Sequence, residues 1–356
     1  MELGGDSSSG DAVSTKAKRL RMRERIGFVV GVVLLAGAAA YLISEPDQLG
    51  KFVEQIKNAP AWAIAIVLVG PIFNWLCVGL CLHALVRRHG EVGRGEMLAL
   101  VGSAWLLNHL PMRPGLIGRI GYHAKINSIR VRDSIEASVW SVIHAAVANA
   151  IALGLVLIVP TDLSLGMLVG VLLLPTVIAS VLGGVLSVSK PRVGLLLFGF
   201  VYRGLDLFVW MARYAAAFAM LGIVVTPVQI VLITAASQFA QLIPLTGAGL
   251  GFREWGVGIA AKMSGSGSVG SVGSGGAALS MRSAIGADVI NRIAETLIVI
   301  PLGLVCSGIV AKRYAAGIGL AKEPVSKELL SEEPLPEDPA ARHAEDEDQA
   351  GETGED

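Results

Sequence analysis

The fold is decided by two short stretches of this chain, LPMRPGLIGR at residues 110–119 and IPLTGAGLGFRE at residues 243–254. In each stretch a proline is followed seven residues later by a glycine, and an arginine comes one or two residues after that glycine. Because Pro and Gly interrupt helices and Arg is costly at membrane depth, both stretches predict broken membrane segments. A matching pair of such segments in two halves of a chain is typical of a transporter with inverted repeats and a binding site near the bilayer midplane.

The composition is that of an integral membrane protein. Hydrophobic residues make up 53% of the 356-residue chain and charged residues 16%, whereas a soluble domain carries about 25% charged residues. The mean hydropathy is +0.63. We therefore expect a multi-pass protein of the cell membrane. We expect no nucleic-acid partner and no cofactor. We also expect no metal, since the cysteines lie in apolar runs without the spacing of metal ligands.

The apolar runs predict an all-α polytopic membrane protein with about six full transmembrane helices and two re-entrant hairpins. A basic, disordered cytoplasmic N-terminus (1–26) precedes the transmembrane domain (27–313), and an acidic, disordered cytoplasmic tail (314–356) follows it. The six predicted spans are residues 27–44, 61–86, 137–159, 164–187, 194–222 and 287–311.

The distribution of Lys and Arg predicts how these segments are oriented. Basic residues cluster in 87–96, in 124–132, in 190–192 and at Lys312 and Arg313, and the positive-inside rule assigns all four clusters to the cytoplasm. The first hairpin then enters and leaves on the cytoplasmic side, and the second on the outer side together with a Gly/Ser linker. The two hairpins thus acquire opposite orientations, as in an inverted repeat joined by the span 164–187.

At these residues the chain resembles the transmembrane, flippase-like domain of lysylphosphatidylglycerol synthases and their stand-alone relatives. Residues 244–254 are similar to that family's Pro-x-x-x-Gly-Gly-x-Gly-x-Arg-Glu segment, and residues 110–119 to its earlier Leu-Pro/Gly/Arg segment. The run Asn291-Arg292-Ile293-Ala294-Glu295 resembles its Arg-bearing last helix. The residues after Arg313 are too few, and of the wrong composition, to fold the soluble aminoacyl-transferase domain, so we expect lipid handling and not lysyl transfer.

The candidate site residues lie at the two breaks and inside the later spans. An arginine fork matches phosphate in bidentate fashion, and glycines allow a ligand close to the backbone. Charges inside spans face a wet cavity or pair with one another, and the i, i+3 spacing places Arg203 with Asp206 and Arg292 with Glu295 on shared helix faces. The alternative is that the arginines cap hairpin ends and the charge pairs are structural. The predicted substrate-binding residues are Arg113, Gly115, Gly118, Arg119, Arg203, Asp206, Gly247, Gly249, Gly251, Arg253, Glu254, Arg292 and Glu295.

Together these features predict a protein that binds an anionic lipid, either a phospholipid or a polyprenyl-phosphate-linked lipid, and translocates it across the cell membrane. Two alternatives stay open: a membrane enzyme acting on a polyprenyl-phosphate sugar lipid, and a scaffold that binds a protein partner through the acidic tail. We favour a non-enzymatic function and assign no catalytic residue. The sequence also leaves open a homo-oligomer.

Overall fold

The computed structural model describes residues 29–44, 46–110, 114–158, 165–242, 249–266 and 279–321. Within these ranges all regular secondary structure is helical, which confirms the predicted all-α class. The predictions for residues 1–26, for most of the Gly/Ser linker and for the far end of the acidic tail fall outside these ranges.

Eleven helices lie in the described part of the chain. They are α1 (Val29–Ile43), α2 (Pro46–Lys57), α3 (Ala61–Val86), α4 (Arg94–Leu107), α5 (Pro114–Ile126), α6 (Val131–Ile158), α7 (Leu165–Ser189), α8 (Pro191–Met220), α9 (Pro227–Leu242), α10 (Phe252–Ser266) and α11 (Met281–Ala321).

Five of these helices, α3, α6, α7, α8 and α11, are long and apolar enough to cross a membrane. The chain is therefore a polytopic membrane protein. The described part of α1 is shorter than a full span needs, about 20 residues, so five long spans are seen where six were predicted.

Three predicted boundaries were wrong. Helix α6 begins at Val131, not at residue 137, because Asp133 in its first turn suits the positive end of the helix dipole. Helix α11 begins at Met281, not at residue 287, and Asp288 in its early turns is fully buried within the protein. The same helix extends to Ala321, into the segment predicted to be a disordered tail.

Both predicted breaks separate two short helices. The first lies between α4 and α5, and the second between α9 and α10; the tip residues 111–113 and 243–248 lie outside the described ranges. In the first hairpin, the Asn108 side-chain oxygen accepts a hydrogen bond from the backbone N–H of Leu116 (3.2 Å) and joins the two arms. In the second, Gly249 and Gly251 have φ of +72° and +80°, a conformation that favours glycine.

The two hairpins open toward opposite ends of the helix bundle. At the open end of the first, Glu96 of α4 accepts a hydrogen bond from Asn127, just beyond α5 (2.9 Å), and pairs with Arg313 near the end of α11 (3.6 Å). At the open end of the second, Ala261 of α10 shares a hydrophobic cluster with Leu279, which precedes α11. Since α11 runs from one of these ends to the other, the hairpins enter the bundle from opposite sides.

The packing follows the predicted inverted repeat, in which α3 to α6 correspond to α8 to α11. The first helices of the two repeats, α3 and α8, pack along each other. The last helix of each repeat contacts the first arm of the other repeat's hairpin, through Asn149 and Gln238 (3.2 Å) in one case and Ser307 and Ser103 (3.0 Å) in the other. This exchange places both hairpins beside one central space.

Candidate functional site

A cavity of about 250 Å³ lies between the two hairpins and is lined by residues from both repeats. Its volume is below the roughly 300–1,000 Å³ of typical small-molecule sites, so it suits a small polar group and not a whole lipid. Aromatic rings supply much of its apolar wall (Trp75, Trp105, Trp210 and Phe239). The polar lining consists of Asn74, Asn108, Arg119, Asn149, Arg203, Asp206, Gln238 and Gln241.

Arg119 is a cavity cation that has no countercharge among the described residues. The residue is 9% exposed, and its Nη2 donates a hydrogen bond to the Ser138 hydroxyl (2.7 Å). No carboxylate among the described residues forms an ion pair with it. A buried charge is costly unless an opposite charge accompanies it. Arg119 therefore makes the cavity suited to an anion.

Arg203 and Asp206 form the second charged feature of the cavity. Arg203 Nη1 lies 2.7 Å from Asp206 Oδ2, which confirms the predicted i, i+3 pair. Asp206 Oδ1 accepts a second hydrogen bond, from Asn74 Nδ2 (2.7 Å). With two arginines against one aspartate, the charged residues that line the cavity carry a formal surplus of one positive charge.

Arg253, the arginine of the second hairpin, lies outside the cavity lining. It is 1% exposed, its Nε donates to Asp288 Oδ1 (2.7 Å), and its Nη1 donates to Glu295 Oε2 (3.1 Å). Its guanidinium lies 5.0 Å from the ring centre of Trp210, which does line the cavity. Its observed contacts are those of the structural alternative, with carboxylates of its own chain. Lipid binding by Arg253 stays a prediction.

A buried chain of polar contacts joins Arg253 to the cavity. Arg213 Nη2 lies 3.6 Å from Glu295 Oε2, the same oxygen that Arg253 contacts. Arg213 Nη1 donates to Asn74 Oδ1 (2.9 Å), and Asn74 in turn holds Asp206. Hydrogen bonds and ion pairs thus connect Arg253 of the second hairpin to Asp206 in the cavity lining.

The predicted pairing of Arg292 with Glu295 was wrong, because Arg292 has a different partner. Arg292 Nε pairs instead with Oε1 of Glu254, in the first turn of α10 (2.7 Å). Glu295 instead forms ion pairs with Arg253 and Arg213. The i, i+3 spacing places Arg292 and Glu295 near one another on one helix. Charged residues on neighbouring helices nevertheless determine which ion pairs form. Neither Glu254, Arg292 nor Glu295 lines the cavity.

Two of the predicted glycines, Gly115 and Gly251, serve close packing. A Cβ on Gly115 would collide with the backbone carbonyl of Ala104, so this glycine lets α5 approach α4. A Cβ on Gly251 would lie 2.5 Å from the carbonyl oxygen of Gly31 in α1. Gly118 has open space around it. Arg113 and Gly247 lie outside the described ranges, and their ligand roles stay predictions.

Sequence reasoning missed Asp288, Asn74 and Tyr214. Asp288 accepts hydrogen bonds from both Arg253 and Tyr214 (2.7 and 2.5 Å). A signal existed: Asp288 and Glu295 are seven residues apart, and therefore share one helix face. Asn74 is a lone amide in an apolar span, and no spacing in the sequence connects it with α8.

The chain matches no known protein-family profile, and no curated protein or solved structure is significantly similar to it. The resemblance to the lysylphosphatidylglycerol synthase membrane domain therefore stays a prediction that rests on the two broken segments.

Proposed function

We propose that this protein binds the phosphate-bearing head group of an anionic lipid in the cavity between its hairpins and moves that lipid between the leaflets of the cell membrane. The observation that carries the proposal is Arg119, a nearly buried arginine that lines the cavity and has a hydroxyl, not a carboxylate, as its partner.

The charge and hydrogen-bonding groups of the cavity favour a phosphodiester. A surplus of one positive charge matches the single negative charge of such a group, and an arginine fork binds phosphate oxygens in bidentate fashion. The side-chain amides of Asn108, Gln238 and Gln241 line the same space. Amides both donate and accept hydrogen bonds, which suits the hydroxyl groups that lipid head groups carry beside the phosphate.

The architecture supports translocation, and not binding alone. The two hairpins enter from opposite ends and both border the cavity, as expected where two repeats rock about a fixed midplane site. The cavity is too small for acyl chains, which remain in the bilayer while the head group crosses. The sequence contains no nucleotide-binding motif, so we expect the lipid gradient, an ion gradient or a partner protein to supply the driving force.

Reconstitution into liposomes tests this function. Lipids with a fluorescent acyl chain and either a phosphatidylglycerol or a phosphatidylcholine head group are placed in the inner leaflet, and their appearance in the outer leaflet is measured by dithionite quenching. We expect the protein to accelerate crossing of the phosphatidylglycerol analogue well above the phosphatidylcholine analogue. Equal rates with and without protein for the anionic analogue would refute translocation.

The enzymatic alternative has weaker support. Asp206 is the one carboxylate among the described residues that line the cavity, and it already contacts Arg203 and Asn74. A requirement for a divalent metal in the liposome assay would favour the enzyme over the transporter.

A further inference from the structure

A second polar pocket, of about 470 Å³, lies where α3 ends and where α6 and α8 begin. All three are membrane-spanning helices, so their ends meet at the boundary between membrane and water. The pocket shares no lining residue with the central cavity. Its lining residues are Arg88, His89, Arg130, Arg132, Asp133, Glu136 and Arg192.

Positive charge exceeds negative charge in this pocket even with a neutral histidine, because four arginines face two carboxylates. Asp133 Oδ2 accepts from Arg130 Nε (3.0 Å), and Glu136 Oε1 lies 3.7 Å from Arg88 Nη2. Among the described residues, neither Arg132 nor Arg192 forms an ion pair.

Arg88 supplies the observation that points to a ligand. Its Nε and Nη1 are buried, yet neither has a hydrogen-bond partner in the part of the chain that the structure describes. Guanidinium nitrogens only donate, and a buried donor without an acceptor costs about 1–3 kcal/mol. Both atoms have almost no accessible surface of their own, so an anion in the pocket would reach them once the partly exposed Arg88 side chain turns toward it.

A divalent cation is the competing occupant. His89, Asp133 and Glu136 offer three ligand atoms within 4.8 Å of one another. Arg88 and Arg130 already contact these two carboxylates, so a cation bound there would also face two guanidinium groups. The charge balance favours an anion.

We propose that this interfacial pocket is a second binding site for a phosphate-bearing anion, independent of the translocation cavity. Basic pockets between membrane helices suit lipid head groups because the spanning helices set the pocket at head-group depth. Free phosphate offers the same oxygens, and the experiment separates the two sources.

The first arm uses native mass spectrometry of the detergent-solubilised protein with added phosphatidylglycerol, in the parent and in Arg119→Gln protein. In both backgrounds, Arg88→Gln should lower phosphatidylglycerol affinity at one site about tenfold. The matched control is Arg87→Gln, which removes the same charge from an exposed neighbour outside the pocket and should change affinity less than about twofold. Arg119→Gln weakens the proposed cavity site, so in that background the effect of Arg88→Gln can be measured whether or not the cavity binds lipid.

Arg192→Gln is a second variant, because this exposed residue at the start of α8 can change without loss of buried packing. It should weaken the same site. Unchanged phosphatidylglycerol affinity in folded Arg88→Gln and Arg192→Gln proteins, with no response to phosphate, would overturn the proposal.

The second arm measures thermal unfolding with millimolar inorganic phosphate. Stabilisation of the parent but not of Arg88→Gln, without a matching lipid effect, would assign the pocket to soluble phosphate. Binding of Mn²⁺ that Glu136→Gln abolishes, with neither lipid nor phosphate bound, would replace the anion site with a metal site.

Discussion

The two hairpins carry nearly the same sequence pattern but neutralise their arginines differently. Arg119 of the first hairpin lines the cavity and donates to the hydroxyl of Ser138. Arg253 of the second is more deeply buried and contacts the carboxylates of Asp288 and Glu295. The second hairpin thus obtains its anions from α11, whereas Arg119 donates to a hydroxyl beside the cavity, where our proposal places an anion from outside the chain.

Under our proposal, a repeated motif serves two purposes within one fold. A buried guanidinium needs a negative charge nearby, and the source of that charge decides its role. Where the chain supplies carboxylates, the arginine fixes one helix against another. Where the described partner is a hydroxyl beside a cavity, we propose that the arginine binds a ligand.

The largest effect should come from removing Arg253, whose charge is neutralised by carboxylates of the same chain. Arg253→Met leaves Asp288 and Glu295 buried with fewer countercharges, and losing one partner of a buried ion pair costs about 3–5 kcal/mol. We expect a large drop in the thermal unfolding temperature in detergent. The matched variant Arg119→Met loses one hydrogen bond and should stay near the parent; equal losses in both variants would contradict the distinction between the hairpins.

Next in size is the loss of lipid binding when the cavity arginine is replaced. Arg119→Gln removes a charged hydrogen-bond donor worth about 1.5–3 kcal/mol, so phosphatidylglycerol affinity at the cavity should fall about tenfold or more. Arg119→Lys should recover part of it, because a lysine is a point charge without the planar fork. Native mass spectrometry measures both, and Arg94→Gln, an exposed change outside the cavity, is the control.

A smaller effect distinguishes two glycines of the first hairpin. Gly115→Ala forces a methyl group against the carbonyl of Ala104, and overpacking of this kind costs about 1–3 kcal/mol. Gly118→Ala, three residues along the same helix, meets open space and should be neutral or slightly stabilising. Chemical denaturation of the two variants side by side measures the difference. A stable Gly115→Ala protein would remove close packing as the reason for that glycine.

How much of this the sequence could predict depends on the kind of interaction. The breaks, their opposite orientations and the Arg203–Asp206 pair follow from local rules: helix-breaking residues, charge bias and spacing along one helix. The partners of Arg253 and Arg292 do not, because Asp288 and Glu254 come from other helices and no local rule selects them. The packing roles of Gly115 and Gly251 likewise depend on which helix lies against each glycine. No fixed spacing in the sequence identifies that helix.

The smallest predicted effect concerns the cavity aspartate. Asp206→Asn keeps the shape and the acceptor for Asn74 but removes the negative charge beside Arg203. An anion should then bind about fivefold more tightly, which corresponds to about 1 kcal/mol for one unit charge at a partly hydrated site. Titration with phosphatidylglycerol checks the direction, with Glu91→Gln, an exposed carboxylate outside the cavity, as the control. Weaker binding by Asp206→Asn would mean that the carboxylate itself holds the ligand.

The most direct test of the central claim is to observe the lipid phosphate beside the guanidinium of the first hairpin. Solid-state NMR recoupling between ³¹P of phosphatidylglycerol and ¹⁵N of labelled arginines is measured in bilayers, using Arg88→Gln protein to silence the interfacial pocket. We predict a close ³¹P–¹⁵N contact that disappears when Arg119→Gln is added. A contact that survives this second change would place the phosphate at another arginine and contradict Arg119 as the ligand of the head group.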